Sequence, residues 1–253
     1  MNTSKGFLIG ANKVYYVYFS YSCMGYIEDE CGSNINCKLT ANDFELLYNR
    51  YRGLDSARKL ILEKYPNNVC GYCRVMQATE IDHYLPQSKF KSYSIAFNNL
   101  VPSCHNCNSK KSDDSPNDSK VFYFHPSFES ISKNINLDVE ISVDYKKIIF
   151  SIKNINKDKF YKKMNFTFSK LGIYDNYSRY ANTELIGTLQ RYHYLKKIRG
   201  REVALKIFED KKKDNELGYN ELWKRSLYSF LLSNRDFQEQ GYIQYLKMHN
   251  INL

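Results

Sequence analysis

The chain has 253 residues, 43% of them hydrophobic, and a formal net charge of +10. That is enough for one large domain or two small ones with a globular core. The basic balance favours a polyanionic partner, and the aromatic run over residues 7–26, broken by Asn12 and Lys13, is too polar to span a bilayer.

The first predicted element is a strand in KVYYVYFSY (13–21), rich in Val, Tyr and Phe. A polar, turn-like segment follows. Cys31 and Cys37 have five residues between them, which is not a metal-knuckle spacing, so they and Cys23 are read as plain thiols. Thr40 is placed as an N-cap with Asp43 three residues on. Leu46, Leu47, Leu60, Ile61 and Leu62 then fit two helices broken near Gly53, the second ended by Pro66. Residues 112–120, SDDSPNDSK, form a loop by composition, and residues 136–154 alternate as a hairpin. Beyond Asn156 the chain turns helical. Leu185, Ile186, Leu189, Tyr192, Leu195 and Ile198 recur at helical spacing, with Gly200 placed as a C-cap. Leu222, Trp223, Leu227, Phe230 and Leu231 mark another helix. Most of the excess positive charge lies between Lys157 and Lys213. It is either a solvated helical face or one that tracks phosphates.

The chemistry is concentrated between these parts. No secretory signal precedes the seven cysteines, which points to the cytoplasm and to metal rather than disulfides. Cys70-Gly71-Tyr72-Cys73 and Cys104-His105-Asn106-Cys107 are two CxxC knuckles. Each aims two sulfurs at one ion, so the four cysteines predict a tetrahedral zinc site. Four thiolates close the shell: the zinc is structural, and His105 is not needed as a ligand. Thirty residues separate Cys73 from Cys104, where a simple ribbon leaves about 15–20. The insert opens with EIDHYLPQS (80–88). Ala78 to His83 reads as a strand, with Glu80 and Asp82 on one face and His83 on the other, ended by Pro86. The return segment, SIAFNNLVPSC, carries Asn98 and Asn99. Asn108 follows Cys107, with Lys110 and Lys111 on the start of a helix.

The order Asp-His, Asn-Leu, then CxxCN followed by Lys resembles the HNH endonucleases of the ββα-metal type. It is similar to the zinc-stapled subgroup, whose two CxxC pairs flank the active-site hairpin. It covers about residues 68–112. DHYLPQS is also similar to the HNH domains of RNA-guided DNA nucleases, and FHPSF (124–128) resembles HNH proteins of bacterial genome-defence loci. The resemblance implies an α+β fold: a ββα-metal core stapled by zinc, with a hairpin and a mostly helical C-terminal region. The expected divisions are residues 1–39, strand-rich; 40–118, the nuclease domain; and 119–253, the hairpin and basic helices.

It also implies roles. His83 is the general base, and Asp82 and Asn108 hold one Mg²⁺ or Mn²⁺ through oxygen. Asn99, preferred to Asn98 because it directly precedes Leu100, orients the His83 ring. Lys111 is within reach of a phosphate, and Glu80 is left without a role. The implied activity is metal-dependent hydrolysis of DNA, with RNA left open, in anti-phage defence. Two alternatives stand beside it. One is a zinc-stapled nucleic-acid-binding module without catalysis. The other is a nuclease subunit controlled by a partner ATPase or sensor, since no GxxxxGK[ST] phosphate loop appears here.

Overall fold

The computed structural model describes residues 3–10, 13–20, 23–28, 34–35, 46, 48–49, 55–116, 122–129, 137–152, 159–216, 222–251 and 253. The expected Thr40 cap, the break at Gly53, Cys31, Cys37, Lys157 and the end of the 112–120 loop lie outside these residues. The chain divides into two units, Met1–Ser130 and Ile131–Leu253.

The first unit opens with an antiparallel sheet in the order β1 (Thr3–Gly10), β2 (Lys13–Ser20), β3 (Cys23–Glu28) and β4 (Asn34–Ile35). β1 and β2 pair along their whole length, from Thr3↔Ser20 to Gly10↔Lys13. The Val- and Tyr-rich β2 thus forms the strand its composition predicts. Helix α1 (Asp55–Leu62) carries Asp55 in its first turn, where a carboxylate suits the helix dipole. Pro66 opens a short 3₁₀ turn leading to the first knuckle.

The insert between the knuckles is a two-stranded hairpin, β5 (Glu80–His83) and β6 (Leu100–Ser103). The register runs from Glu80↔Ser103 to His83↔Leu100. β5 is shorter than the expected Ala78–His83, because the Ala78 amide turns away to the Asn68 carbonyl. Helix α2 (His105–Lys111) closes the ββα unit. Residues 122–129 pack here rather than with the helical region. Tyr84 Oη donates to the Tyr123 carbonyl at 2.7 Å, and Tyr123 and Phe124 are fully buried against Tyr72.

In the second unit, β7 (Asp138–Ile141) and β8 (Ile148–Ser151) form the predicted hairpin. Helices α3 (Lys159–Lys170), α4 (Ile173–Arg199), α5 (Arg201–Glu216), α6 (Leu222–Ser233) and α7 (Tyr242–Met248) follow, with a π-turn over Phe237–Gly241. Ala181, Leu185, Leu189 and Tyr192 line the buried face of α4, whereas Ile198 is exposed. Gly200 ends that helix at φ +83°, its amide bonded to the Lys196 carbonyl, a conformation that favours glycine. Among the described residues no helix is long and apolar enough to cross a membrane.

Glu184 ties three helices of this unit together, accepting from Lys211 Nζ and from Tyr228 Oη. Burial works to raise its carboxyl pKa, but these two bonds outweigh it and hold the group below the ordinary range. A depressed carboxyl stabilises the fold above the unfolded pKa, and that contribution is lost as pH falls through the folded one. Glu184→Gln should therefore cost about 1 kcal/mol at pH 7. Urea unfolding at pH 7 and at pH 3 should show the gap between variant and wild type closing in acid.

Candidate active site and zinc centre

The sulfurs of Cys70, Cys73, Cys104 and Cys107 lie within 4.8 Å of one another, and all four residues are buried. Cys73 and Cys104 Sγ are 3.9 Å apart, close to the edge of about 3.8 Å expected for a tetrahedron with metal–sulfur bonds of about 2.3 Å. The cluster fits a structural zinc ion. The knuckles are also joined through backbone, since the Gly71 amide donates to the Pro102 carbonyl on β6 at 2.8 Å. Gly71 serves close approach. A Cβ there would meet Tyr65 Cε2 at 2.8 Å, Val101 Cγ1 at 2.9 Å and Pro126 Cβ at 3.2 Å. Gly71→Ala should cost about 1–3 kcal/mol through overpacking, read as a lower unfolding midpoint with zinc still bound.

The staple presents β5 to α2, and two polar clusters form on the face they share. The inner one centres on Asp82, which is 4% exposed. Tyr72 Oη, from inside the first knuckle, donates to its Oδ2 at 2.5 Å, and Lys111 Nζ donates to Oδ1 at 3.1 Å. Lys111 also donates to the His83 carbonyl at 2.8 Å. Burial raises the Asp82 pKa, and the nearby Lys111 charge and the Tyr72 bond only partly offset it.

The outer cluster centres on Glu80, whose side chain is 34% exposed. Its Oε1 meets His105 Nδ1 at 2.8 Å, and its Oε2 accepts from Asn108 Nδ2 at 2.7 Å. The Asn108 bond, then the His105 contact, hold the Glu80 carboxyl below its ordinary range.

His83 faces the other way, as strand alternation requires. Its Nε2 is 2.9 Å from the Ser94 carbonyl, and its ring lies edge-on to Tyr48 at 4.8 Å. A carbonyl can only accept, so Nε2 carries the hydrogen and the neutral ring has its lone pair on Nδ1. Burial pushes the imidazole below its ordinary pKa. It is therefore neutral at pH 7.

Two expectations are corrected here. Asn99 does not bond the His83 ring. Its Oδ1 accepts from the Leu85 amide at 2.7 Å, and its Nδ2 donates to the Leu85 carbonyl at 3.1 Å and the Tyr93 carbonyl at 2.9 Å. It fixes the loop whose next residue, Ser94, holds the imidazole, so it acts at one remove. Lys111 does not reach outward to a phosphate. It is 0% exposed, because it lies one helical turn after the buried Cys107 and shares its inward face. That four-residue spacing was visible in the sequence. The pairing of Asn108 with Glu80, and the roles of Tyr72 and Ser94, carried no signal there.

Lys111 and Asp82 form a buried ion pair whose polar atoms are all engaged. Lys111→Ala leaves the carboxylate alone and should cost about 3–5 kcal/mol. The double variant Asp82→Asn/Lys111→Met should recover part of that loss in a denaturant titration, since the unpaired charge is gone.

The stapled ββα hairpin, with His83 at the end of its first strand, is the segment on which the likeness to a known family falls. The HNH endonuclease family matches residues 65–117. The Septu protein PtuB of Bacillus thuringiensis is 36% identical over 58 residues. That match spans 21% of this chain and 23% of the relative, so less than a quarter of the relative's length is covered. No solved structure matches.

Proposed function

We propose that the protein is a metal-dependent endonuclease that hydrolyses phosphodiester bonds in DNA, with His83 as general base. The neutral, carbonyl-anchored imidazole at the end of β5, inside the segment that matches the HNH family, carries this reading. Nδ1 of His83 takes the proton of the attacking water. Asn99 keeps the ring aimed by fixing the Tyr93–Ser94 turn. The cation belongs on the helix-facing side of β5, where the resemblance assigns Asp82 and Asn108 as oxygen donors. When bound, Mg²⁺ or Mn²⁺ supplies positive charge to the scissile phosphate and the leaving 3′ oxygen. The products are a 5′-phosphate and a 3′-hydroxyl.

Affinity for the polyanion draws on the basic helices. Lys196, Arg201 and Lys211 are paired with acids, while Arg191, Lys197, Arg199, Lys206 and Lys213 are exposed. Binding should weaken steeply with salt. The likeness to a Septu protein supports a place in anti-phage defence; control by a partner ATPase or sensor is part of the proposal.

One observation favours the binding-module reading: both Asp82 oxygens are already engaged. Incubating single- and double-stranded DNA and RNA with Mg²⁺, Mn²⁺ or chelator, wild type against His83→Ala, separates the two. Metal-dependent products from the wild type alone support the nuclease. Retention of nucleic acid without products supports the module.

A further inference from the structure

We infer that the outer edge of β7 is a docking site for an extended, basic segment of a partner protein. The segment adds as a third strand and lies in the cleft between the β7–β8 hairpin and helices α6 and α7. The site belongs wholly to the second unit, and the inference stands whether or not the protein is a nuclease.

The Ser142 amide donates to the Lys147 carbonyl at 2.9 Å and closes the hairpin. Bonded and non-bonded pairs alternate along an antiparallel ladder, so the next pair, Ile141↔Ile148, is a non-bonded one. The backbone groups of both residues therefore point away from the opposite strand. On the β8 side that edge is occupied, since Ser178 Oγ of α4 donates to the Ile148 carbonyl. On the β7 side, the Leu137 amide just before the strand donates to Ser226 Oγ of α6 at 2.9 Å. At its Ile141 end the strand instead borders an open cleft of about 680 Å³. Among the described residues β7 has no second strand beside it. An edge of outward-pointing N–H and C=O groups is a template for strand addition.

The cleft is built to hold such a strand. Ile141, Phe230 and Phe237 supply apolar lining, the two phenylalanine rings 6.1 Å apart between centroids. Phe237 opens the π-turn that forms part of the opposite wall, and π-turns within helices concentrate at functional sites. Val143, at the hairpin tip, is 98% exposed, apolar surface that a bound chain would cover. Gln240 and Gln244 offer amides to a peptide backbone. Charge selects the occupant. Glu140 and Asp236 line the cleft and are exposed, and no lysine or arginine lines it, in a chain whose net charge is +10. Such a surface repels the phosphates of nucleic acid and attracts lysine or arginine side chains.

The test uses the full chain with its zinc in place and a displayed library of short random peptides as the probe. Enriched peptides, synthesised with a fluorescent label, should carry net positive charge. Replacing their amides one at a time by N-methyl amides should weaken binding by at least about ten-fold at every second position and little between, the period of an added strand. Glu140→Lys combined with Asp236→Lys should weaken binding by at least about ten-fold, with the circular dichroism spectrum unchanged. The inference is overturned if no peptide is enriched, if the enriched peptides are acidic, or if the methyl scan shows no alternation. It is equally overturned if the two charge reversals leave affinity unchanged. Two other occupants have their own signatures, and either would displace the partner segment from this reading. One is a DNA oligonucleotide that competes the peptide away. The other is a dimer in sedimentation that Glu140→Lys with Asp236→Lys dissociates. The methyl scan uses the wild-type chain, so its outcome does not depend on any variant folding.

Discussion

Replacing His83 by alanine should lower the rate of metal-dependent cleavage by about 10²–10⁴-fold, the usual contribution of a positioned general base. The reason is local. Burial holds the ring neutral at pH 7, and the Ser94 carbonyl fixes its hydrogen on Nε2, so the basic nitrogen is Nδ1. Alanine removes that nitrogen and leaves the hairpin register, the four cysteines and the Asp82–Lys111 pair as they are. Zinc content and unfolding midpoint should change little, which distinguishes loss of chemistry from loss of fold. Asn99→Ala should be milder in rate but worse in stability, because its carboxamide makes three bonds to the loop backbone. Wild-type cleavage rates in His83→Ala would remove the histidine from the mechanism.

Removing the zinc should have the largest effect on stability. Metal analysis should find one zinc per chain, and Cys104→Ser or a strong chelator should release it. Structural zinc contributes on the order of 10 kcal/mol to small domains at pH 7. Here it joins segments thirty residues apart in sequence, and the hairpin between them has only four residues in each strand. A two-stranded hairpin of that size is not stable alone. Tyr72 stands between two of the zinc ligands and Lys111 lies one turn after a third, so losing the metal also loosens the grip on Asp82. Near-ultraviolet circular dichroism should show the tyrosines of residues 65–123 losing their fixed environment. Retention of that signal and of the unfolding midpoint without zinc would mean that the four sulfurs are only packed thiols.

Much of this was legible in the residues. Two CxxC pairs name their own ligands, because a two-residue gap has few ways to aim two sulfurs and four sulfurs make one tetrahedron. The β7–β8 hairpin and the buried stripe of α4 followed from periods of two and of about 3.6, which depend on backbone geometry alone. The place of residues 122–129 was not legible. The expected divisions grouped them with the hairpin and the helices, while the ring contacts of Tyr123 and Phe124 with Tyr72 tie them to the first knuckle.

The sequence by itself determined the grouping of the four cysteines and the placing of Glu80 and Asp82 on one strand face, both set by short-range spacing. Only the tertiary structure decided what each acid does. Alternation places both toward α2, but it does not say how deep each one lies. The depth of the helix against the strand does: it buries Asp82 with the ammonium of Lys111 and leaves Glu80 at the rim with His105 and Asn108. Charge in a protein is governed by distance from water, and that distance exists only once the chain has packed.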